Sequence, residues 1–271
     1  MSEESNAAER RRWNDEYWAS VWPKREQLTS AVTEILLSHA DLTPGQNVFE
    51  IGSGGGTATM AAGRLLGPTG RVVAADISTP LVDFARRRAG EAGLHNISFV
   101  VADAQHDVIE GGPFDAVISQ FGVMFFDEPE AAFANIRAQV SRGGRLAFAC
   151  WQQVDRNPWF VGPALVGLVP PPPAPAPGKS VTGPFSFSDP QRVLTILGAS
   201  GWKAVERAPY ERTVNVDRAA IVDDGQLAFL GVSEESLPAA RQAVDAHLAR
   251  LRSGDGRIDA PLAFQIFTAT A

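Results

Sequence analysis

The sequence predicts an α/β fold: a mostly parallel seven-stranded sheet with helices on both faces, preceded by a helical segment and interrupted late by a helical insertion. Three observations carry this expectation. Short apolar runs alternate with helix-length amphipathic stretches through residues 47–151, the pattern of βα units whose sheet is covered on both faces. The run Phe49-Glu50-Ile51 passes into Gly52-Ser53-Gly54-Gly55-Gly56 and on into a helix-forming stretch, a glycine turn that lets a ligand approach bare backbone. Three acids, Glu50, Asp76 and Asp103, fall at the carboxyl ends of successive predicted strands. Ligands of such sheets bind beyond those ends.

Taken in order, Trp13–Ala40 reads as helical and carries Trp13, Tyr17, Trp18 and Trp22, with Pro23 expected to break or restart the helix. The basic run Arg10–Arg12 ahead of it is expected on a solvated segment. Asn47–Ile51 is the first strand, Thr57–Leu66 a helix, Gly67–Gly70 a turn and Arg71–Ala75 the second strand. Pro80–Ala92 is a helix ended by Gly93, with the basic run Arg86–Arg88 on its exposed face. Asn96–Val101 is the third strand and Phe114–Ser119 the fourth. Pro129–Val140 is a helix stopped by Gly143-Gly144, and Arg145–Trp151 is the fifth strand.

The character changes after Trp151. Pro170–Pro173, Pro175 and Pro177 form a stiff, exposed connection of polyproline tendency. Phe187-Ser188-Asp189-Pro190 opens a helix to Leu197, with Ser188 as cap and the proline in the first turn. Gly201–Thr213 supplies a sixth strand and Leu262–Thr268 a seventh. Between them Asp217–Leu251 is mostly helical and is expected above the same sheet end, as a lid that shapes the substrate site. The organisation expected is a helical cap segment at 1–40, a ligand-binding core at 41–155, and a completion of the sheet at 156–271 with its insertion at about 214–257.

Of the 271 residues, 45% are apolar and 20% charged, ordinary values for a soluble globular protein, and a net charge of −7 argues against a general nucleic-acid binder. Cys150 is the only cysteine and lies in the apolar run Leu146–Trp151, so a core thiol is expected and no intrachain disulfide can form. No apolar run approaches membrane-spanning length and none near the start resembles a signal peptide, so a cytoplasmic location without membrane insertion is expected. No His, Cys or Asp spacing calls for a metal. A monomer or homodimer acting on a small molecule is expected.

The glycine turn must still be matched to a ligand. The dinucleotide pattern requires a small third residue for close helix packing, and Thr57 stands there. The phosphate-loop pattern fails because no Gly-Lys-Ser/Thr follows. Three carboxylates without a basic clamp suit an adenosyl ligand bearing a sulfonium and an α-amino group instead. Asp76 is placed for the ribose hydroxyls with Ile77 against the adenine, Asp103 for the exocyclic amine, and Glu50 for the cationic end.

At these residues the chain resembles a class I S-adenosylmethionine-dependent methyltransferase, of the small-molecule group that includes the ubiquinone and menaquinone methyltransferases. The motifs are Glu50–Gly56, Val72–Ser78, Val100–Ala104, Phe114–Met124 and Arg142–Phe148, and the resemblance is close over roughly residues 30–151. It implies a Rossmann-like fold and S-adenosyl-L-methionine as cofactor. It implies that Glu50, Gly52, Ser53 and Gly54 hold the methionine moiety, that Asp76 takes the ribose, and that Asp103 with Ala104 takes the adenine edge. Gln120 and Phe121 would form the floor beneath the sulfonium, and Tyr17, Trp18 and Trp22 would close the pocket or serve structure alone.

Displacement from a sulfonium needs alignment more than a base, though an oxygen or acidic carbon acceptor must lose a proton at some stage. His106 and Asp127 on the expected rim and His247 in the proposed lid are the candidates. The aromatic residues Trp159, Phe160, Phe185, Phe187, Phe229 and Phe264 suggest an aromatic or partly apolar methyl acceptor, methylated on oxygen, carbon or nitrogen. A cofactor-binding protein without transfer activity and a nicotinamide-dependent oxidoreductase remain the alternatives at this point.

Overall fold

The structure is a computed structural model that describes residues 6–171 and 174–271. Pro172 and Pro173 of the proline-rich connection, and the first five residues of the expected cap segment, lie outside the described residues. Five strands are parallel neighbours: β1 (Asn47–Ile51), β2 (Arg71–Asp76), β3 (Ile97–Val101), β4 (Phe114–Gln120) and β5 (Val140–Trp151). Two more, β6 (Lys203–Val216) and β7 (Ile258–Thr270), close the sheet in the order β3-β2-β1-β4-β5-β7-β6, with β7 antiparallel to both neighbours. The central strands are buried on both faces, and Val48, Phe49, Val72, Val117, Ile118, Leu146 and Phe148 are closed to solvent. The winding reverses between β1 and β4, which makes that pair the switch point of the sheet.

Glycine sets the spacing there. A Cβ on Gly52, whose φ is +68°, would meet Gly122 Cα at 2.8 Å, and one on Gly122 would meet the Ile51 carbonyl at 2.7 Å. The ends of β1 and β4 therefore touch backbone to backbone, and a crevice opens beyond them.

Around the sheet lie α1 (Ala7–Trp13), α2 (Glu16–Ala40), α3 (Thr57–Leu66), α4 (Thr79–Glu91), α5 (Pro129–Ala138) and α6 (Pro190–Ala199). The insertion between β6 and β7 holds α7 (Arg218–Ile221), α8 (Asp224–Phe229) and α9 (Leu237–Leu248). α2 serves two purposes along its length. Leu28, Val32, Leu36 and Leu37 recur at helical spacing and enter the main core, whereas Trp18 and Val21 form a separate cluster with Leu81, joined by Trp13, Tyr17, Trp22 and Phe229.

Several local expectations need correcting. The helix runs unbroken through Pro23; the break falls at Asn14-Asp15, where the Asp15 side chain caps α2 by accepting from the Tyr17 amide at 2.9 Å. Arg10–Arg12 do not sit on a solvated segment but in α1, with Arg10 directed at Asp103 across 3.4 Å. Of the second basic run, Arg86 pairs with exposed Asp83, but Arg88 reaches inward to Glu26 at 2.5 Å and to the Gly55 carbonyl at 2.6 Å. α5 stops at Ala138, and β5 already begins at Val140, before the two glycines. Asp189, not Ser188, caps α6 by accepting from the Gln191 amide at 2.9 Å.

Candidate active site

A cavity of about 370 Å³ opens at the carboxyl ends of the strands. Its floor is made by Glu50, Asp76, Asp103 and Gln120 from four strand ends, and its roof by Arg12, Trp13, Trp18, Trp22 and Arg25 from α1 and α2. Ile221, Gln226 and Leu230 of the β6–β7 insertion and Trp151, Trp159 and Phe160 after β5 complete the walls. The insertion thus contributes Ile221, Gln226 and Leu230 to the cavity wall.

The glycine turn is not a cradle for phosphate. The Gly52 and Ser53 amides both donate to the Ala75 carbonyl, at 2.8 and 3.1 Å, the Gly54 amide donates to Asp76 Oδ2 at 2.8 Å, and the Gly56 amide donates to the Ser53 carbonyl at 2.9 Å. Four donors that could grip an anion are thus occupied, three by the end of the second strand and one within the turn. Thr57, in place of a third small residue, opens α3 and donates its hydroxyl to Glu26 of α2. What the turn leaves facing inward is acidic and polar: Glu50 Oε2 and Ser53 Oγ are buried and without hydrogen-bond partners.

The acids differ in how they are held. Glu50 is 1% exposed, and burial pushes its carboxyl up from the usual range to about 8; the negative charge of Asp76 adds to this, while the neighbouring Thr59 hydroxyl pulls the other way without completing a hydrogen bond of good geometry. Asp76 is raised by burial too, against the lowering effect of the Gly54 and Ser78 amides it accepts from. Asp103 accepts from the Gln105 amide at 3.0 Å and has Arg10 as its cationic neighbour.

Two further groups shape the floor. Gln120 is fixed from above by α2, accepting from Thr33 Oγ1 at 2.8 Å and donating to the Thr29 carbonyl at 3.1 Å. Phe121, with a left-handed φ of +65°, stacks on Trp151 with ring centroids 4.0 Å apart, and a bulky residue holds such a backbone only where its surroundings impose it. The Trp22 indole lies flat on the turn, so that a Cβ on Gly54 or Gly55 would fall 2.2 Å from its ring. The α1–α2 junction is fastened beside it: Asn14 donates to the Ile77 carbonyl at 3.1 Å, and Ser78 Oγ donates to the Trp13 carbonyl at 2.6 Å.

Of the cofactor-contact residues expected from the sequence, Glu50, Gly52, Ser53, Gly54, Asp76, Ile77, Asp103, Ala104, Gln120, Phe121 and Trp22 line this one cavity. Tyr17 does not; its hydroxyl donates to Asp223 Oδ1 at 2.7 Å and ties α2 to the insertion. The three acid–base candidates also lie off the lining. His106 and Asp127 are joined through Gln105, whose Nε2 is 2.8 Å from the imidazole and 2.7 Å from the carboxylate, with Lys179 beyond. His247 sits in α9 with its Nε2 buried. Among the expected acceptor aromatics, Trp159 and Phe160 line the cavity, Phe185 backs Phe160 at 4.8 Å, Phe229 packs in the α2 cluster, and Phe187 and Phe264 are core residues.

Sequence reasoning missed Arg12, Arg25 and Thr29. A signal was present: residues 18, 22, 25 and 29 follow the spacing of one helical face, and all four line the cavity.

The site is thus an acid-lined crevice at the switch point of a doubly wound sheet, beside a glycine turn most of whose amides already have acceptors. Comparison with known proteins makes this specific. Within this α/β core, residues 48–144 match a family described as a methyltransferase domain. The aklanonic acid methyltransferase DauC of Streptomyces sp. (strain C5) is 33% identical over 113 residues, 42% of this chain and 51% of that protein. The ubiquinone/menaquinone biosynthesis C-methyltransferase UbiE of Saccharophagus degradans is 32% identical over 103 residues, 38% of this chain and 41% of that protein. The chain thus spans about half the length, or less, of the curated relatives it matches. A SAM-dependent methyltransferase from Aquifex aeolicus shares the fold, with a TM-score of 0.54 at 16% identity over 97% of this chain and 98% of the other.

Proposed function

We propose that this protein moves a methyl group from S-adenosyl-L-methionine to a small, aromatic or partly apolar acceptor. The observation that carries this reading is the buried Glu50 Oε2, which faces the cavity without a partner beside a turn whose Gly52, Ser53, Gly54 and Gly56 amides already have acceptors. A carboxyl so placed can ionise toward an incoming ammonium and gains nothing from a phosphate. The residues present therefore fit the cofactor. When bound, it supplies a methyl carbon already activated by the positive sulfur.

Glu50 would hold the α-ammonium, with Ser53 Oγ completing the polar pocket. Asp76 keeps lone pairs for two ribose hydroxyls beyond those used by the Gly54 and Ser78 amides. Asp103 and Ala104 would face the adenine edge and Ile77 its flat face, while Gln120 and Phe121 would close the floor and Trp22 the roof. Since the cavity lining holds no histidine, the chain's contribution to the transfer is alignment in a water-poor pocket. The acceptor must then arrive with its nucleophile ionised or intrinsically basic. His106 with Asp127, and His247, would act from behind the wall only as positioning residues.

Regarding the rest of the protein, the β6–β7 insertion and the Trp159-Phe160 wall would select the acceptor. A soluble protein acting in the cytoplasm, as monomer or homodimer and without nucleic acid, is part of the same proposal; among the described residues no helix is long and apolar enough to cross a membrane. Calorimetric titration with S-adenosylhomocysteine and with NADH tests the donor. A binding isotherm for the first and none for the second is expected, and the reverse would overturn the reading. Formation of S-adenosylhomocysteine against a panel of aromatic hydroxy and carboxy compounds then tests the transfer.

A further inference from the structure

The cavity is charged unevenly. Three carboxylates crowd its floor, and two guanidiniums, Arg12 and Arg25, line the wall supplied by α1 and α2. Arg25 donates to neutral acceptors, the Ile221 carbonyl at 3.3 Å and the Gln226 side-chain oxygen, and lies over the Trp18 ring 5.6 Å from its centroid. Burial and the nearby charge of Arg12 both weaken its hold on its proton. The Nε of Arg12 is itself buried without a partner. Neither side chain forms an ion pair among the described residues. Two acidic groups act on Arg25 through space, Tyr17 and then Asp223, and they are bonded to each other: Asp223 Oδ1 accepts from the Tyr17 hydroxyl at 2.7 Å and from the Gln226 amide at 3.0 Å.

A half-buried cation satisfied by neutral groups and set beside a second cation is a costly arrangement that an anion would relieve. A guanidinium offers a planar fork matched to a carboxylate. The walls around it are flat rings, Trp18, Trp151, Trp159 and Phe160. Resting on the methyl-donor reading of the same cavity, we infer that Arg25, assisted by Arg12, binds an oxyanion on the methyl acceptor. The acceptor is therefore an aromatic acid rather than a neutral phenol or an amine.

The test is a calorimetric titration with three probes of one shape: 1-hydroxy-2-naphthoate, its methyl ester and 1-naphthol. Each is run on the protein alone and on the protein saturated with S-adenosylhomocysteine. The acid is expected to bind about tenfold or more tightly than either neutral probe. Arg25→Gln is expected to weaken the acid by about ten- to a hundredfold, the worth of charge-assisted hydrogen bonds, and Arg12→Gln by less. Both variants keep their affinity for S-adenosylhomocysteine, which also reports that they have folded. Arg25→Lys retains charge but not the fork and falls between. Equal binding of acid and ester, or no binding of the acid, overturns the inference while leaving the donor reading intact. Loss of S-adenosylhomocysteine affinity in Arg25→Gln and Arg25→Lys alike assigns Arg25 to the framework and overturns it too. A wild-type protein that ignores S-adenosylhomocysteine overturns the donor reading instead, and the acid preference is still read on the free protein.

Discussion

Glu50 concentrates the chemistry of the site in one carboxyl group. In the free protein its pKa lies at about 8, so near pH 7 it carries its proton; an incoming ammonium would favour the charged form and expel it. Titration with S-adenosylhomocysteine at pH 7 in buffers of different ionisation enthalpy should show release of close to one proton, absent in Glu50→Gln. Without that substitution-sensitive release, Glu50 does not meet the ammonium. Affinity in the variant should fall by about tenfold or more. Stability follows with a definite sign. The folded carboxyl holds its proton more tightly than the unfolded one, so the favourable contribution is complete below pH 4.5 and is lost as pH rises through about 8. Unliganded Glu50→Gln should therefore match wild type in thermal unfolding near pH 4.5 and exceed it near pH 9, where Asp76 is unchanged in both. Glu50 was legible in the sequence because strand end, acid and glycines are contiguous. Arg25 was not, because the partners that hold it in the wall come from 196 and 201 positions further along the chain.

Among the elements, α2 is the least expected from local rules. A proline in a helix interior removes one hydrogen bond and crowds the preceding turn, yet α2 passes through Pro23 because both flanks are anchored, Trp18 and Val21 in one cluster and Leu28 and Val32 in the main core. Propensity placed the break at Pro23, where the helix is continuous, and missed the one at Asn14-Asp15, since the capping Asp15 stands within a run of aromatic residues that reads as continuous helix. Pro23→Ala restores an amide for the Ala19 carbonyl and should raise stability by about 1–2 kcal/mol, measured by denaturant unfolding. An unchanged or lower midpoint would show that Pro23 is needed to lay Trp22 on the glycine turn. The closing strands were also partly legible. The nearly continuous apolar run of β7 suits a central strand and the charged alternation of β6, with Pro209 inside it, suits an edge. Their order was not, because β7 enters between β5 and β6 only through long-range pairing.

At the scale of the molecule, the cavity is a joint between parts distant in sequence: strand ends from the sheet, the α1–α2 roof, and the wall from the β6–β7 insertion. Few covalent constraints hold these parts together. The roof is tied down by Asn14 and Ser78 on one side, by Glu26 to Arg88 and Thr57 on another, and to the insertion by Tyr17 with Asp223. A ligand that fills the joint should stabilise all of it at once. With S-adenosylhomocysteine at a hundredfold its dissociation constant, unfolding should become harder by about 2.7 kcal/mol, as mass action requires. Hydrogen exchange shows where that stabilisation falls. Because Trp22 rests on Gly54 and Gly55, a ligand seated against the turn should slow exchange in residues 7–22 as well as in residues 50–58 and 76–81. Protection should also reach residues 221–230, which the roof holds through Tyr17 and Arg25, so Tyr17→Phe should leave the first two regions protected and reduce the effect in the third without abolishing it. Protection confined to the strand ends would mean that roof and insertion move independently of the donor pocket, and the joint would then be two sites rather than one.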